Sequence, residues 1–498
     1  MWDLRRDAER GRAAVAILLR RDPDVAVRML FRSGPEAWTA FDKDVRRDRS
    51  RLGGALPSNR IEARLCDPDG RIRESALSAW RRPPAHLVVI RCADWVPAVR
   101  NRARRVLGRI VARDPVSTLV TLAPLILRLG RREHGAWAVE QLEAAVSGRY
   151  SLLAAWWRPG RASTTWSLNS LTSEQRDSIL NLLCLRADLP ARRFAARLTS
   201  EAGRTGVREL AARARDERDP VTSRIWVDAA LAAMAADGPD GAAIDDLLAG
   251  HFPLVRAGGV TALRRAGRAA EAVDHLADRS GTVRACARWL VRQGGDDPYA
   301  VTRALLEDPA RVTPNAVTGF AECAGPADAP LLRALLEHPA GAVRAAAVGG
   351  LRLMDATDHE LLRPLLDDPS PAVAREVSLS LRSEAGRLPA DWLLARTAPE
   401  QPLHTRRAAY RLLYAQGGVA WLRAAVELQA VTDPGLRHLA AQHIQGLWPT
   451  YGPMRLSAGD PEVGALLDRC TGLASGYAIR WMRSQLAIPR AECGMSGY

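Results

Sequence analysis

The 498-residue chain has almost no lysine. Lys43 is the only one, so all but one of its 71 basic residues are arginines. That bias indicates a GC-rich coding sequence more than a function. Aromatic residues make up only 5% of the chain, although Trp (14) outnumbers Tyr (7) and Phe (5). An apolar content of 47%, mostly Ala, Leu and Val, suits helices that pack closely together.

Cysteines are few and show no metal or redox spacing. The seven include no C-x-x-C pair, and Cys66, Cys92 and Cys286 fall at apolar positions, which indicates buried free thiols. Free thiols are typical of a reducing compartment. The first residues are charged and lack the apolar segment of a signal peptide. No apolar run approaches the roughly 20 residues of a membrane span. We therefore expect a cytoplasmic protein without a membrane segment.

Motifs of common enzymes are missing. The sequence contains no G-x-G-x-x-G after a strand, no P-loop, no H-E-x-x-H and no G-x-S-x-G. The nine histidines are dispersed, and His438 and His443, five residues apart on one predicted helix, face different sides. We predict no cofactor or metal site and favour a non-catalytic protein.

The sequence of residues 361–381, LLRPLLDDPSPAVAREVSLSL, instead predicts a helical hairpin. The leucines of its first half form one apolar stripe, which predicts a short helix. A polar turn follows, and Pro371 suits the first position of a new helix because its missing N–H is not needed there. Val373, Val377 and Leu381 then recur at one-turn spacing and predict the buried side of a second helix.

The same pattern recurs along the chain at a period near 30 residues. Copies with an arginine early in the second helix carry it at Arg73, Arg100, Arg256, Arg284, Arg344, Arg375, Arg406 and Arg437. Two helices per unit at a fixed period are typical of an α-solenoid. The D-P-x-x-x-V-R pattern between the helices resembles the short, bacterial form of the HEAT repeat family, over roughly residues 55–450.

The HEAT resemblance implies an all-α, right-handed α-solenoid (a superhelix) of helical-hairpin repeats. It further implies that second helices line a concave surface and that the V-R arginine bonds an acidic residue of a neighbouring unit. Because these repeats serve many functions, fold alone does not identify the activity. The prediction is an interaction scaffold that binds a protein partner on its concave surface.

Positive charge is concentrated in the first quarter of the chain. Residues 1–115 hold 26 Lys and Arg against 15 Asp and Glu, whereas the remainder is nearly balanced. In the helix predicted from Pro97, Arg102, Arg104 and Arg105 lie away from the buried face and form a candidate basic patch. A polyanion partner, and specifically nucleic acid, is therefore the alternative function. A solvated arginine-rich surface without a ligand remains the other explanation.

The repeat rhythm breaks at residues 147–171, a Pro/Gly/Ser/Thr-rich insertion that contains Trp156, Trp157, Arg158 and Trp166. Loops that interrupt a rigid scaffold often carry function, and Trp and Arg are preferred in interfaces and base-stacking sites. The other interpretation is that the tryptophans cover an irregular junction. Thr172 and Gln175 predict a capping box for the next helix.

One enzymatic alternative comes from a resemblance. Some bacterial alkylpurine DNA glycosylases are built from HEAT-like repeats and use tryptophans and a catalytic Asp on a basic concave face. Asp94, next to Trp95 in the arginine-rich region, is the candidate for that acid here. It also occupies an inter-repeat turn, where an Asp ordinarily caps a helix.

These patterns predict six segments. They are a basic N-terminal helical cap (1–54), basic HEAT-like repeats (55–146), the Trp/Arg-rich insertion (147–171), degenerate helical repeats (172–250), regular repeats (251–447) and a C-terminal segment of loop, closing helices and tail (448–498).

Overall fold

A computed structural model describes residues 4–19, 23–52, 60–148, 171–308, 311–446 and 455–488. Across these ranges the chain is helical and forms no β-strand. The prediction of an all-α solenoid is confirmed. The chain divides into two compact units, residues 1–266 and 267–498. The division falls inside the segment 251–447, and the six-segment description of the sequence stays a prediction.

The described residues of unit 1 are mainly α-helical. In chain order they are α1 (Leu4–Leu19), α2 (Pro23–Phe31), α3 (Pro35–Leu52), α4 (Ile61–Leu65), α5 (Gly70–Ala79), α6 (Ala85–Arg91), α7 (Pro97–Arg113), α8 (Pro115–Leu129), α9 (Ala136–Ser147), α10 (Ser173–Cys184), α11 (Leu189–Ala202), α12 (Val207–Asp216), α13 (Pro220–Asp237), α14 (Gly241–Leu248) and α15 (Pro253–Leu263).

Unit 2 mixes α-helices with short 3-10 segments. The α-helices are α16 (Gly281–Gln293), α17 (Pro298–Glu307), α18 (Pro314–Ala321), α19 (Ala329–Ala334), α20 (Gly341–Leu353), α21 (His359–Leu362), α22 (Pro371–Ser380), α23 (Ala390–Ala395), α24 (Leu403–Gln416), α25 (Gly418–Glu427), α26 (Pro434–Gln445), α27 (Pro461–Arg469) and α28 (Gly476–Gln485). The 3-10 segments are Ala269–His275, Pro326–Asp328, Leu335–Glu337, Arg363–Asp367, Arg382–Arg387 and Leu428–Ala430.

Alternate helices stack on one another within each unit. In unit 1, α5 contacts α7, α11 contacts α13, and α13 contacts α15. In unit 2 the second helices α18, α20, α22 and α24 contact one another in sequence. This is the arrangement expected of hairpin repeats, in which each unit buries its apolar face against its neighbours.

The hairpin in residues 361–381 forms as predicted at its second helix and differently at its first. Val373, Val377 and Leu381 are fully buried. The first helix is a single α-turn, α21, which continues as the 3-10 segment Arg363–Asp367. Pro364 lies where the α-turn changes to the 3-10 segment. A proline there removes one backbone donor and crowds the preceding turn, which explains the change.

Each unit has its own hydrophobic core. The unit 1 core extends from Ala14 to Leu198, and the unit 2 core extends from Val317 to Ile488. Cys66 and Cys92 are buried free thiols, as predicted, and burial raises the pKa of both. Cys286 is also free but only half-buried.

Helix ends follow the predicted capping chemistry. Thr172 Oγ1 accepts a hydrogen bond from Gln175 N at 3.1 Å, and Gln175 Oε1 accepts one from Thr172 N at 3.0 Å, which completes the capping box. In the part of the chain that the structure describes, no helix is both long enough and apolar enough to span a bilayer.

Candidate functional site

The V-R arginines close the turn of their own repeat. In five repeats the guanidinium Nη1 donates to the carbonyl oxygen six residues earlier, and in four of them also to the next carbonyl. These arginines are Arg73, Arg100, Arg256, Arg284 and Arg344. A single side chain thus satisfies carbonyls that a helix end would otherwise leave unpaired.

In three of these repeats, at Arg73, Arg284 and Arg344, the same guanidinium also pairs with an acid of the following unit. Arg73 forms a bidentate pair with Asp94, at 2.9 and 2.8 Å, and Arg344 forms one with Asp368, at 2.9 and 2.7 Å. Asp94 Oδ1 and Asp368 Oδ1 each accept a further bond from the backbone N–H two residues on, at 3.0 and 2.7 Å. We call this series of links the arginine ladder.

Parts of the ladder depart from the predicted spacing. Arg375 lies one residue out of step: Ala374 occupies the ladder position, while Arg375 is exposed and contacts Glu376. Arg193, which the repeat pattern did not mark, forms the bidentate pair with Asp219 at 2.9 and 2.7 Å. That pair lowers the pKa of the Asp219 carboxyl, chiefly through the hydrogen bond from Arg193.

Asp94 lies at the most buried link of this ladder. Besides its bidentate bonds to Arg73, Asp94 Oδ2 accepts from Arg91 Nη1 at 3.2 Å, and Arg46 Nη2 lies 3.8 Å away. Arg91 also bonds Asp42. Burial raises the pKa of Asp42, and the neighbouring Arg46 opposes that rise.

This geometry gives Asp94 a structural role. Its side chain is 0% exposed, and both carboxylate oxygens are occupied by guanidinium and backbone donors. A catalytic carboxylate must reach its substrate within hydrogen-bond distance. The environment of Asp94 therefore favours a structural role in the ladder. The expected helix-capping role is wrong, because Val96 is the N-cap of α7 and no side chain caps that helix. The glycosylase resemblance gains no support.

Trp95 covers the buried charges from the solvent side. The guanidinium carbons of Arg73 and Arg46 lie 4.4 and 4.5 Å from its ring centroid, within cation–π range. Arg73 is fully buried although Trp95 itself is 59% exposed. The indole thus forms both the lid of the ion-pair cluster and a wall of the surface beside it.

The three arginines of the predicted basic patch have different surroundings. Arg105 is exposed on α7, and Arg102 is half-buried. Arg104 donates to Cys92 O and His134 O at 3.3 and 3.4 Å, and its guanidinium lies 4.5 Å from the Trp137 ring. Arg104 therefore links neighbouring helices, and Arg105 is the member of the trio that faces solvent.

The predicted Trp/Arg-rich site lies outside the described residues. Trp156, Trp157, Arg158 and Trp166 fall between residues 148 and 171, so their proposed role in stacking or binding stays a prediction.

A groove crosses the second-helix face of unit 2. It encloses about 600 Å³ and is lined largely by small side chains of α18, α20 and α22, including Ala346, Gly349 and Ala372. Leu353 at its edge is 57% exposed. We call this feature the α20 groove. No sequence pattern predicted this groove, since alanine and glycine in a helix equally indicate close internal packing.

Cationic side chains border the α20 groove. Arg352 bonds Glu376 at 2.6 Å and Ser380 Oγ at 2.9 Å across the groove end. Arg411 on α24 is exposed. Burial lowers the pKa of Arg411, and the positive charge of Arg375 and Arg407 lowers it further, which places three cations close together. Arg352, which lines the groove, is paired with Glu376, and Arg407 is paired with Asp433. Arg411 is the member of this group that has no ion pair in the described chain.

We also searched the described residues for side chains that could bind a metal ion. Within the described ranges, no group of three or more His, Cys, Asp or Glu side chains is arranged to hold a metal ion.

Comparison with known proteins does not assign the chain to a family. No protein-family model and no curated protein matches it. Among solved structures, the crystal structure of Kap121p bound to Pho4p matches with 13% identity and a TM-score of 0.25. The match covers 93% of this chain and 45% of that one, so the chain spans less than half the length of Kap121p. A likeness at this level carries no argument about fold or function.

Proposed function

We propose that the protein is a non-catalytic interaction scaffold. In this proposal the α20 groove binds a segment of a protein partner that is apolar on one side and acidic on the other. The observation that carries the proposal is a groove floor of small side chains on stacked second helices, with Arg352 in its lining and the exposed Arg411 on the helix beside α22. We call these arginines and Arg375 the rim.

The floor supports close approach of a partner backbone. Alanine and glycine leave room between α20 and its neighbours, and a Cβ added at Gly349 would meet nothing nearer than 3.6 Å. Leu353 supplies exposed apolar area at the edge. An occupant with apolar side chains would gain roughly 25 cal/mol for each Å² of apolar surface removed from water.

The rim supports an acidic partner. Arg352 and Arg375 share the single carboxylate of Glu376, and Arg411 has no ion pair in the described chain. Complementary charge speeds association and selects among partners more than it adds affinity. The free charge of Arg411 is therefore expected to determine which apolar segments bind.

Selection from a displayed library of random peptides tests this proposal. We expect enrichment of peptides that combine apolar and acidic residues, with binding lost in Gly349→Leu, which fills the groove, and weakened in Arg411→Glu. Arg333→Glu, which makes the same charge change at an exposed position of α19 outside the groove, is the matched control. Enrichment without those residue types, or equal binding by all variants, would contradict the proposal.

Nucleic-acid binding is the second candidate, and the surface of α7 favours it. Asn101, Arg105 and Arg109 form an exposed row on this helix, and neither arginine side chain has a partner in the described chain. Contacts of arginines with phosphates predict affinity that falls steeply with salt.

A mobility-shift series with duplex and single-stranded DNA at increasing salt tests the second candidate. Arg105→Gln with Arg109→Gln should abolish a salt-dependent shift. Arg104 is left unchanged, because its loss would disturb helix packing. No shift at low salt would remove nucleic acid from consideration and leave the α20 groove unaffected. A cytoplasmic location belongs to both proposals and rests on the free cysteines.

A further inference from the structure

A second concave feature, in unit 1, is lined by several cationic side chains. It is a cleft of about 540 Å³ between α1, α3, the turn before α7 and the turn after α8. Its walls include Arg12, Lys43, Arg46, Arg132 and Trp95. We call it the N-terminal basic cleft. Its volume is that of a small-molecule site.

The acids of this cleft are already neutralised. Glu36 pairs with Arg128, Asp42 pairs with Arg91 and Arg46, and Asp94 pairs with Arg73 and Arg91. Burial lowers the pKa of Arg132, and Asp42 attracts this more distant arginine electrostatically, which opposes the fall.

Three more cations remain at the mouth of the cleft. Arg12, Lys43 and Arg132 are exposed, and none of their side chains has an ion pair or hydrogen bond in the described chain. They come from α1, α3 and the turn after α8, so the fold gathers them from positions up to 120 residues apart. Like charges held together around a partly enclosed space favour a multiply charged anion over a single carboxylate.

The remaining walls suit a compact ligand. Thr39, Ala40 and Ala93 contribute small side chains, and the exposed indole of Trp95 adds a flat apolar surface. The guanidinium of Arg46, 4.5 Å from that ring, is held in place by Asp42 at 3.2 Å. A positioned guanidinium beside several exposed cations is an arrangement that binds phosphate oxygens well.

We propose that the N-terminal basic cleft binds a small molecule that carries a phosphate group, with Arg12, Lys43 and Arg132 as the phosphate-binding side chains and Arg46 as their fixed neighbour. This inference concerns unit 1 alone and is independent of the protein-binding proposal for unit 2.

The single lysine of the chain makes the test direct. Pyridoxal 5′-phosphate condenses through its aldehyde with an ε-amine to form an imine and water, and borohydride reduces the imine to a stable secondary amine. Mass spectrometry of digested full-length protein measures labelling at Lys43 against a lysine-containing reference peptide in the same tube. Pyridoxal, which lacks the phosphate, is the parallel reagent.

If the cleft binds phosphate, pyridoxal 5′-phosphate should label Lys43 at least about tenfold more than the reference peptide. Pyridoxal should label Lys43 no more than the reference peptide. Inorganic pyrophosphate should protect Lys43. Arg12→Gln and Arg132→Gln should each reduce the preference severalfold. Arg81→Gln removes the same charge from an exposed turn of unit 1 outside the cleft, and should leave labelling unchanged.

Calorimetric titration of the full-length protein with pyrophosphate gives a second measurement that does not depend on lysine reactivity. Binding that weakens with salt and is lost in the Arg12→Gln/Arg132→Gln double variant supports the site. Labelling at Lys43 equal to that of the reference peptide, absence of protection by pyrophosphate, or an equal effect of Arg81→Gln would each overturn it.

Discussion

The carboxylate of Asp94 supports the fold of unit 1 through charge. Its principal partner, Arg73, is fully buried, so removing the carboxylate charge would leave a guanidinium without compensation in a low-dielectric environment. We predict that Asp94→Asn lowers the free energy of unfolding of unit 1 by about 3–5 kcal/mol. Urea denaturation followed by circular dichroism measures this loss.

A matched substitution separates charge from capping. Asp240 also pairs with an arginine, Arg208, at 2.9 Å, and caps α14 through a bond from Ala243 N, but Arg208 is largely exposed. Asparagine retains the acceptor oxygen at both positions. Asp240→Asn should therefore cost much less stability than Asp94→Asn. Equal losses for the two variants would show that burial of the ladder contributes nothing.

His86 predicts a pH dependence of stability. It stacks on Trp38 with ring centroids 4.5 Å apart, and burial lowers its pKa from 6.5 to about 4. Because the folded state holds the neutral imidazole, this contribution is complete above pH 6.5 and is lost as the pH falls toward 4. A shift of this size corresponds to about 3 kcal/mol.

Replacement of His86 by phenylalanine tests this dependence. His86 Nδ1 is buried without a hydrogen-bond partner, so the phenyl ring forfeits no bond at that atom. The urea midpoint of unit 1 should then fall less between pH 6.5 and pH 4 than in the unchanged protein. His438→Phe, at an exposed position, should not alter the pH profile. An unchanged profile in His86→Phe would refute the prediction.

Single-residue patterns predicted only part of these roles. The V-R motif identified Arg73 and Arg344 because their spacing from the turn is regular. It misplaced Arg375, because an alignment of arginines along the repeats does not show which residue lies six positions after the turn carbonyl. The convergence of three arginines on Asp94 was not predictable, because they come from three different helices brought together only by packing.

At the scale of the helix, two adjacent glycines of α20 have opposite surroundings. A Cβ added at Gly350 would lie 2.6 Å from Leu332 Cδ1 and 3.0 Å from Ala321 Cβ, whereas at Gly349 the nearest atom would be 3.6 Å away. Gly350→Ala should destabilise unit 2 by about 1–3 kcal/mol through overpacking. Gly349→Ala should stabilise it by up to about 1 kcal/mol through helix propensity.

Thermal unfolding of the two glycine variants checks this pair of signs. The comparison is internal, because both changes add one methyl group to the same helix. A stabilised Gly350→Ala would mean that α20 and α18 are packed less closely than the structure shows.

Helix-scale features were predicted better than residue-scale ones. The one-turn spacing of apolar residues located α20 and α22, and Pro371 marked where α22 begins. The first helices were less predictable, since Arg363–Asp367 forms a 3-10 segment after a single α-turn. The α20 groove escaped prediction because its depth depends on how neighbouring helices pack, which a repeat pattern does not encode.

At the scale of the whole molecule, the two units have separate hydrophobic cores. Repeat proteins are stabilised mainly by contacts between neighbours along the chain. We predict that residues 1–266 and residues 267–498, produced separately, each fold into a helical and monodisperse protein with a cooperative thermal transition. Circular dichroism and size-exclusion chromatography measure this.

The outcome also decides how full-length unfolding data are treated. If both halves fold, a single two-state free energy does not describe the intact chain, and each unit needs its own transition. A half that is unfolded or aggregated on its own would contradict the prediction and show that its core depends on the other.

The arginine ladder also limits how such a chain can gain or lose residues during evolution. Arg73 and Arg344 each pair with an acid in the turn before the next unit's second helix, so each repeat carries one half of a link at each boundary. After duplication or loss of one whole repeat, each ladder arginine again faces an acid of the next repeat. A partial deletion leaves a buried charge without its partner. Natural relatives should therefore differ by complete repeats far more often than by fragments of one, a pattern visible in gene lengths alone.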